Sequence, residues 1–130
     1  MLFRSPVLDF DEPSPSRQAF AENHLLDKAT IDADLADYLP GDAEPADPRI
    51  SPLRASDLAG LPAAIIHTAE FDPMRDEGNA YARKLTAAGV SVEHMCHDGM
   101  LHNFHAMGAI LPQGKLVLLQ IGEQVRRMVG

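Results

Sequence analysis

The sequence predicts an α/β fold of about three parallel strands with flanking helices. Three observations carry that prediction. Ala63 to Ala69, within "LPAAIIHTAEFD", is mostly apolar, with the length of a strand and the character of one buried on both faces. Helical periodicity follows at once, with Met74, Tyr81, Leu85 and Ala88 on one side. "VSVEHMC" then alternates as a strand does, and a second helical pattern closes the chain. Strand and helix alternating in this order imply parallel pairing through right-handed crossovers.

The elements follow in order. "LFRSPVLDF" is an opening strand over about Leu2 to Leu8, and "DEPSPS" a turn-rich loop. "RQAFAENHLLDKATIDADLADYL" is helical. Thr30 can cap a helix whose first turn carries Asp32 and Asp34, favourable at a positive helix end. Ile31, Leu35, Tyr38 and Leu39 give that helix an apolar face. "PGDAEPADPRISP" is a surface loop. Asp72 falls just past the central strand. Pro73 suits the first turn of the next helix, Asp76 and Glu77 its positive end, and Gly89 its stop. Val90, Val92 and Cys96 share one side of the following strand, and a loop then carries His102. The last helix, "GKLVLLQIGEQVRRMVG", turns Leu118, Ile121, Val125 and Met128 inward, while Arg126 and Arg127 suit its negative end.

Composition narrows the function. The chain has 130 residues and a net charge of −8, with no run of Lys or Arg. Nucleic acid and anionic lipid are poor partners for such a chain. A single cysteine, Cys96, excludes an internal disulfide. No apolar run has bilayer length, and the N-terminus turns acidic too soon for a signal peptide. A cytoplasmic location without a membrane span is the expectation.

Reactive groups in a parallel sheet gather beyond the carboxyl ends of the strands. Asp72 and His102 both fall there, and an acid and a histidine so placed are two of the three groups of a serine-hydrolase triad. The simpler role for Asp72 is a helix N-cap, and for His102 a solvated loop histidine. His94, Cys96, His97, His102 and His105 invite a metal reading, but His94 and Cys96 share a strand face that His97 does not, and the spacing fits no zinc pattern. No metal is expected. Cys96 is read as a small strand residue, His67 as a satisfied core histidine, and His24 as cap-region surface or pocket lining. His97 and Asp98 shape the loop before His102.

"GLPAAIIHTAEFDPMRDEGNAYARKLTAAGVSVEHMCHDGMLHNF" resembles the C-terminal half of the hormone-sensitive-lipase-like carboxylesterases, which have the α/β-hydrolase fold. "DPRISPLRASDLAGLP" matches the segment ahead of that family's acid-bearing strand. The family's D-P-L-R-D-E-G stands here as "DPMRDEG", and its D-G-x-x-H-G-F as "DGMLHNF", with Asn103 in the place of glycine. The resemblance implies Asp72 as triad acid, His102 as triad base, a small carboxylic ester as substrate, and no cofactor. It implies a partial domain over 1–130, with about 11–60 a cap-like helical and loop region and 61–130 the part that bears the acid and the histidine. The family's serine elbow, G-x-S-x-G, and its H-G-G-G-type oxyanion stretch do not occur in these residues. None of Ser5, Ser14, Ser16, Ser51, Ser56 and Ser91 has both glycines at elbow spacing. The chain alone is therefore expected to be inactive. Two expectations concern assembly: self-association, or pairing of the first strand's open edge with a separate N-terminal half. The alternative to an enzyme is a non-catalytic interaction module.

Overall fold

The computed structural model describes residues 1–130. A parallel sheet of three strands runs in the order β1 (Leu2–Arg4), β2 (Ala64–Phe71), β3 (Val92–Leu101). Helices α1 (Pro15–Ala19) and α2 (Lys28–Tyr38) lie between β1 and β2 in the chain. α3 (Arg75–Ala87) connects β2 to β3, and α4 (Pro112–Val129) closes the chain. The expected class and element order are present. No helix is long and apolar enough to cross a membrane.

β2 occupies the centre of the sheet, and Ala64 to Ala69 are all buried. Successive side chains of a strand point to opposite faces, so β2 feeds two cores. Ala64 and Ile66 join Leu8, Leu58, Tyr81, Ala82, Leu85 and Val90 beneath α3. Ala69 joins Phe104, Val117 and Ile121 beneath α4. α3 crosses so close to the sheet that one position cannot carry a side chain. A Cβ on Gly78 would stand 2.5 Å from Thr68 Cγ2. Gly78→Ala should destabilise the chain by about 1–3 kcal/mol, the usual scale of overpacking. Adding Thr68→Ser, which removes that methyl, should recover part of the loss. Thermal melts of the two variants check this, and an unchanged midpoint for Gly78→Ala alone would refute it.

Several boundaries differ from expectation. β1 stops at Arg4 rather than Leu8, because Ser5 has φ 48° and Pro6 offers no N–H to a sheet. The helical region expected around residues 17–39 is interrupted, with residues 20–27 in neither α1 nor α2. Thr30 does not cap α2: Asp27 does, its Oδ1 accepting the Thr30 N–H at 2.8 Å. Of α2's expected apolar face only Ile31 is buried, and Tyr38 is 71% exposed. α3 begins at Arg75, two residues after Pro73. β3 continues through the expected loop to Leu101, accommodated by a register irregularity opposite Ala69–Phe71. Gly99 within it has φ 72°. Of α4's expected inner face, Ile121 is buried and Val125 and Met128 are half-buried, but Leu118 is 44% exposed, and Gly114, Val117 and Gln124 are buried as well.

A buried ion pair ties α1 to α3. Glu77 Oε2 accepts the Leu8 and Asp9 N–H groups at 2.8 and 3.1 Å, and Arg17 Nε lies 2.7 Å from Oε1. Arg17 Nη2 also donates to the Asp9 carbonyl at 2.8 Å. Burial pushes the Glu77 carboxyl above its ordinary value, while these N–H groups and Arg17 pull the other way. Ser16 completes the join: its hydroxyl donates to the Pro73 carbonyl at 2.7 Å and accepts the Asp76 N–H at 3.1 Å.

Candidate active site

Two neighbouring strands deliver one group each. Asp72 follows β2 and His102 follows β3, so parallel pairing sets both at the same end of the sheet. Asp72 is fully buried, and its Oδ1 accepts the Met74 N–H at 2.8 Å, which aims the carboxylate at the start of α3. Its two oxygens face His102 Nδ1 at 3.1 and 3.0 Å. A carboxylate only accepts, so Nδ1 carries the hydrogen and Nε2 is left with a lone pair. Nε2 makes no hydrogen bond within the chain, and the His102 side chain is 25% exposed. The arrangement is an oriented imidazole with its basic nitrogen accessible. It can take a proton while the buried acid stabilises the cation.

The turn after His102 explains why asparagine suffices where the family pattern has glycine. Asn103 adopts φ 59° and ψ 19°, the left-handed region that asparagine tolerates better than most residues. Phe104 then enters the α4-side core, and the Ala106 N–H closes a short 3₁₀ turn on the Asn103 carbonyl at 2.9 Å. α4 must approach this turn closely: a Cβ on Gly114 would meet the Phe104 carbonyl at 2.6 Å.

The other histidines separate. His94 lies on the α3 side, near Thr68 Oγ1, and His67 and His97 lie on the α4 side. His67 is a satisfied core histidine, as its mid-strand position suggested. No group of three or more His, Cys, Asp or Glu side chains gathers as a metal site. Ser16 and Ser51 hydroxyls donate to the carbonyls of Pro73 and Pro45, not to His102.

Sequence reasoning missed an aromatic cluster that begins next to Asp72 in the chain. Phe71, the residue before Asp72, packs edge-on to Phe20 at 5.9 Å between ring centroids. His24 stands 4.8 Å from Phe20, and the Arg75 guanidinium lies 5.2 Å over the same ring. Arg75 Nη1 also donates to the Glu70 carbonyl, and Glu70 Oε2 accepts the Gly99 N–H, pinning the irregular stretch of β3. Only the aromatic identity of Phe20 and Phe71 signalled this, because residues so distant in sequence meet through tertiary packing alone.

Residues 1–106 match the family model described as alpha/beta hydrolase fold. The chain is 44% identical over 100 residues to carboxylic ester hydrolase LipN of Mycobacterium tuberculosis, covering 76% of this chain and 27% of LipN. It is 34% identical over 122 residues to ethyl acetate hydrolase of Pseudomonas putida, covering 94% of this chain and 38% of that protein. Among solved structures, a thermostable esterase from Pseudomonas putida ECU1011 superimposes with a TM-score of 0.92 at 36% identity, covering 99% of this chain and 42% of the esterase. The chain thus spans between about a quarter and two fifths of the length of these relatives.

Proposed function

The chain belongs to the alpha/beta hydrolase family and matches part of its hormone-sensitive-lipase-like esterases, and on that premise we propose that it supplies the acid and the base of an ester-hydrolysing centre. The observation that carries the proposal is the contact of His102 Nδ1 with the buried Asp72 carboxylate at 3.0 Å, with Nε2 left free. The serine comes from outside these 130 residues. His102 Nε2 takes the serine proton as the hydroxyl attacks the ester carbonyl, and Asp72 stabilises the imidazolium. The same proton passes to the departing alcohol. The acyl group left on serine is then transferred to water, with His102 acting again as base. Names of the relatives support small carboxylic esters as the substrate class.

The segment that carries the serine would add its sheet beside β1. An apolar groove there, lined by Met1, Leu2, Ile65, Val125 and Met128, supports that placement.

The expected result for the 130 residues by themselves is p-nitrophenyl acetate hydrolysis no faster than free imidazole. A hydroxyl without an elbow and oxyanion donors is not activated. Joining the chain to the upstream half of a related esterase should restore turnover. Saturable turnover by the chain alone, abolished by a serine-directed phosphonate, would overturn the division of labour.

A further inference from the structure

His67 and His97 form a pair on the α4 side that the chemistry above does not use. His67 is 4% exposed, its Nδ1 lies 2.8 Å from His97 Nε2, and its Nε2 lies 2.8 Å from Gln124 Oε1. Their neighbours decide where the hydrogens sit. Glu93 can only accept, so Gln124 presents its amide hydrogen to Glu93 Oε2, at 2.9 Å. Gln124 Oε1 then faces His67, and His67 Nε2 carries a hydrogen. Neutral His67 has a lone pair at Nδ1, so the hydrogen between the rings belongs to His97 Nε2. His97 donates to His67, His67 to Gln124, and Gln124 to a carboxylate that Arg127 also holds, at 3.1 Å. At the other end, the His97 ring stands 5.1 Å from that of Phe104, which is 3% exposed.

We propose that His97 is a positioning residue: locked by this chain of donors, its ring holds Phe104 in place, and through Phe104 the left-handed Asn103 turn that presents His102. The proposal rests on His102 as the base and deepens that reading.

The lock requires that His67 stay uncharged. A proton placed on His67 Nδ1 would face the His97 Nε2–H, two donors against each other. Glu93 and Asp98 of β3 favour a charge on the pair. His94 of β3 and His105 of the 3₁₀ turn oppose it, with Arg4 of β1 beside His105. α4 presents the uncharged Gln124. Burial is the largest influence and lowers both rings, His97 from 6.5 to about 4. The unfolded chain therefore binds more protons than the folded chain between these values. The stability contributed by the pair is whole above pH 6.5 and is lost as pH falls toward 4.

Amide hydrogen exchange on the 130-residue chain tests the proposal. The Ala106 N–H reports the turn, and the Val90 N–H, bonded to the Leu85 carbonyl, reports the distant end of α3. From pH 7.5 to 4.5 the protection factor of Ala106 should fall by about tenfold or more while that of Val90 holds. His97→Ala should lower Ala106 protection about tenfold at pH 7.5, the scale of one net buried hydrogen bond. His97→Gln, which can still donate to His67 Nδ1, should keep the protection at pH 7.5 and reduce its pH dependence to that of His67 alone. Imidazole ¹⁵N shifts of the unmutated chain should show His67 as the Nε2–H tautomer, a measurement that stands even if a variant fails to fold. An Nδ1–H tautomer for His67, or Ala106 protection indifferent to pH and to His97→Ala, would overturn the proposal. Ester turnover that survives His102→Ala in the joined enzyme would instead remove the base assignment, while the exchange data decide separately whether His97 holds the turn.

Discussion

His102→Ala, in the chain joined to a serine-bearing upstream half, is expected to lower kcat by about 10³-fold or more. On the proposed assignment, this imidazole, part-exposed beside a buried acid, is the group that takes the serine proton. Asp72→Asn should be comparably severe. It removes the charge that stabilises the imidazolium, and its amide can donate to Nδ1 and so favour the wrong tautomer. The Met74 N–H can still be accepted by the asparagine oxygen, so the start of α3 should survive and the loss should fall on kcat rather than on folding. His105→Ala is the control: a neighbour of Phe104 that makes no hydrogen bond to Asp72, it should cost far less. Steady-state kinetics on p-nitrophenyl acetate, with circular dichroism to confirm folding, give the comparison. A severe His105→Ala beside a mild His102→Ala would mean that the base is misassigned.

The largest expected effect on stability comes from Glu77→Ala. Arg17 is 9% exposed, and the substitution would leave its guanidinium buried without a counter-charge. The Leu8 and Asp9 N–H groups would lose their acceptor as well. Breaking a buried pair in this way costs about 3–5 kcal/mol. A domain of this kind holds only about 5–15 kcal/mol in total. Urea unfolding should therefore show a midpoint shifted far downward, or no folded baseline at all. Removing both partners, as Arg17→Met with Glu77→Leu, should cost less than Glu77→Ala alone, because no charge is stranded. A loss below about 1 kcal/mol for Glu77→Ala would show the pair to be solvated and the join between α1 and α3 to be loose.

The central strand, its helix and the following strand were legible because their signals are local and strong. An apolar run bounded by proline and an acid, a 3.6-residue period and a terminal glycine all agree over Ala63 to Val92. That Asp72 and His102 come together was legible for a different reason: their motifs span several residues, so two single positions were read from two long strings. What failed was decided by tertiary contact. α4 offers apolar residues on more than one side, at Leu116, Leu118 and Leu119 as well as Val117 and Ile121, so periodicity could not choose the buried face. Gln124 is buried because it answers His67, a partner that lies far away in sequence. Glu77 resembles an ordinary helix-end charge until the Leu8–Asp9 backbone is seen to bond it. β1 was overextended because apolar composition does not reveal a positive φ at Ser5.

The placement of Asp72 and His102 on consecutive strands also constrains chain length. One connection, α3, separates them, and its buried face is made by Glu77, Gly78, Tyr81, Ala82 and Leu85. One residue inserted there would rotate everything beyond it by about 100° about the helix axis, turning polar positions onto the sheet. A residue inserted in β3 would exchange its two faces, sending His97 to the α3 side and away from His67. The proline-rich stretch 40–48 bears neither burden, and each doubling of a flexible loop costs only about 0.6 kcal/mol. Insertions and deletions among relatives should accumulate there and spare residues 72–102, whose count is as constrained as the identity of the two residues at its ends.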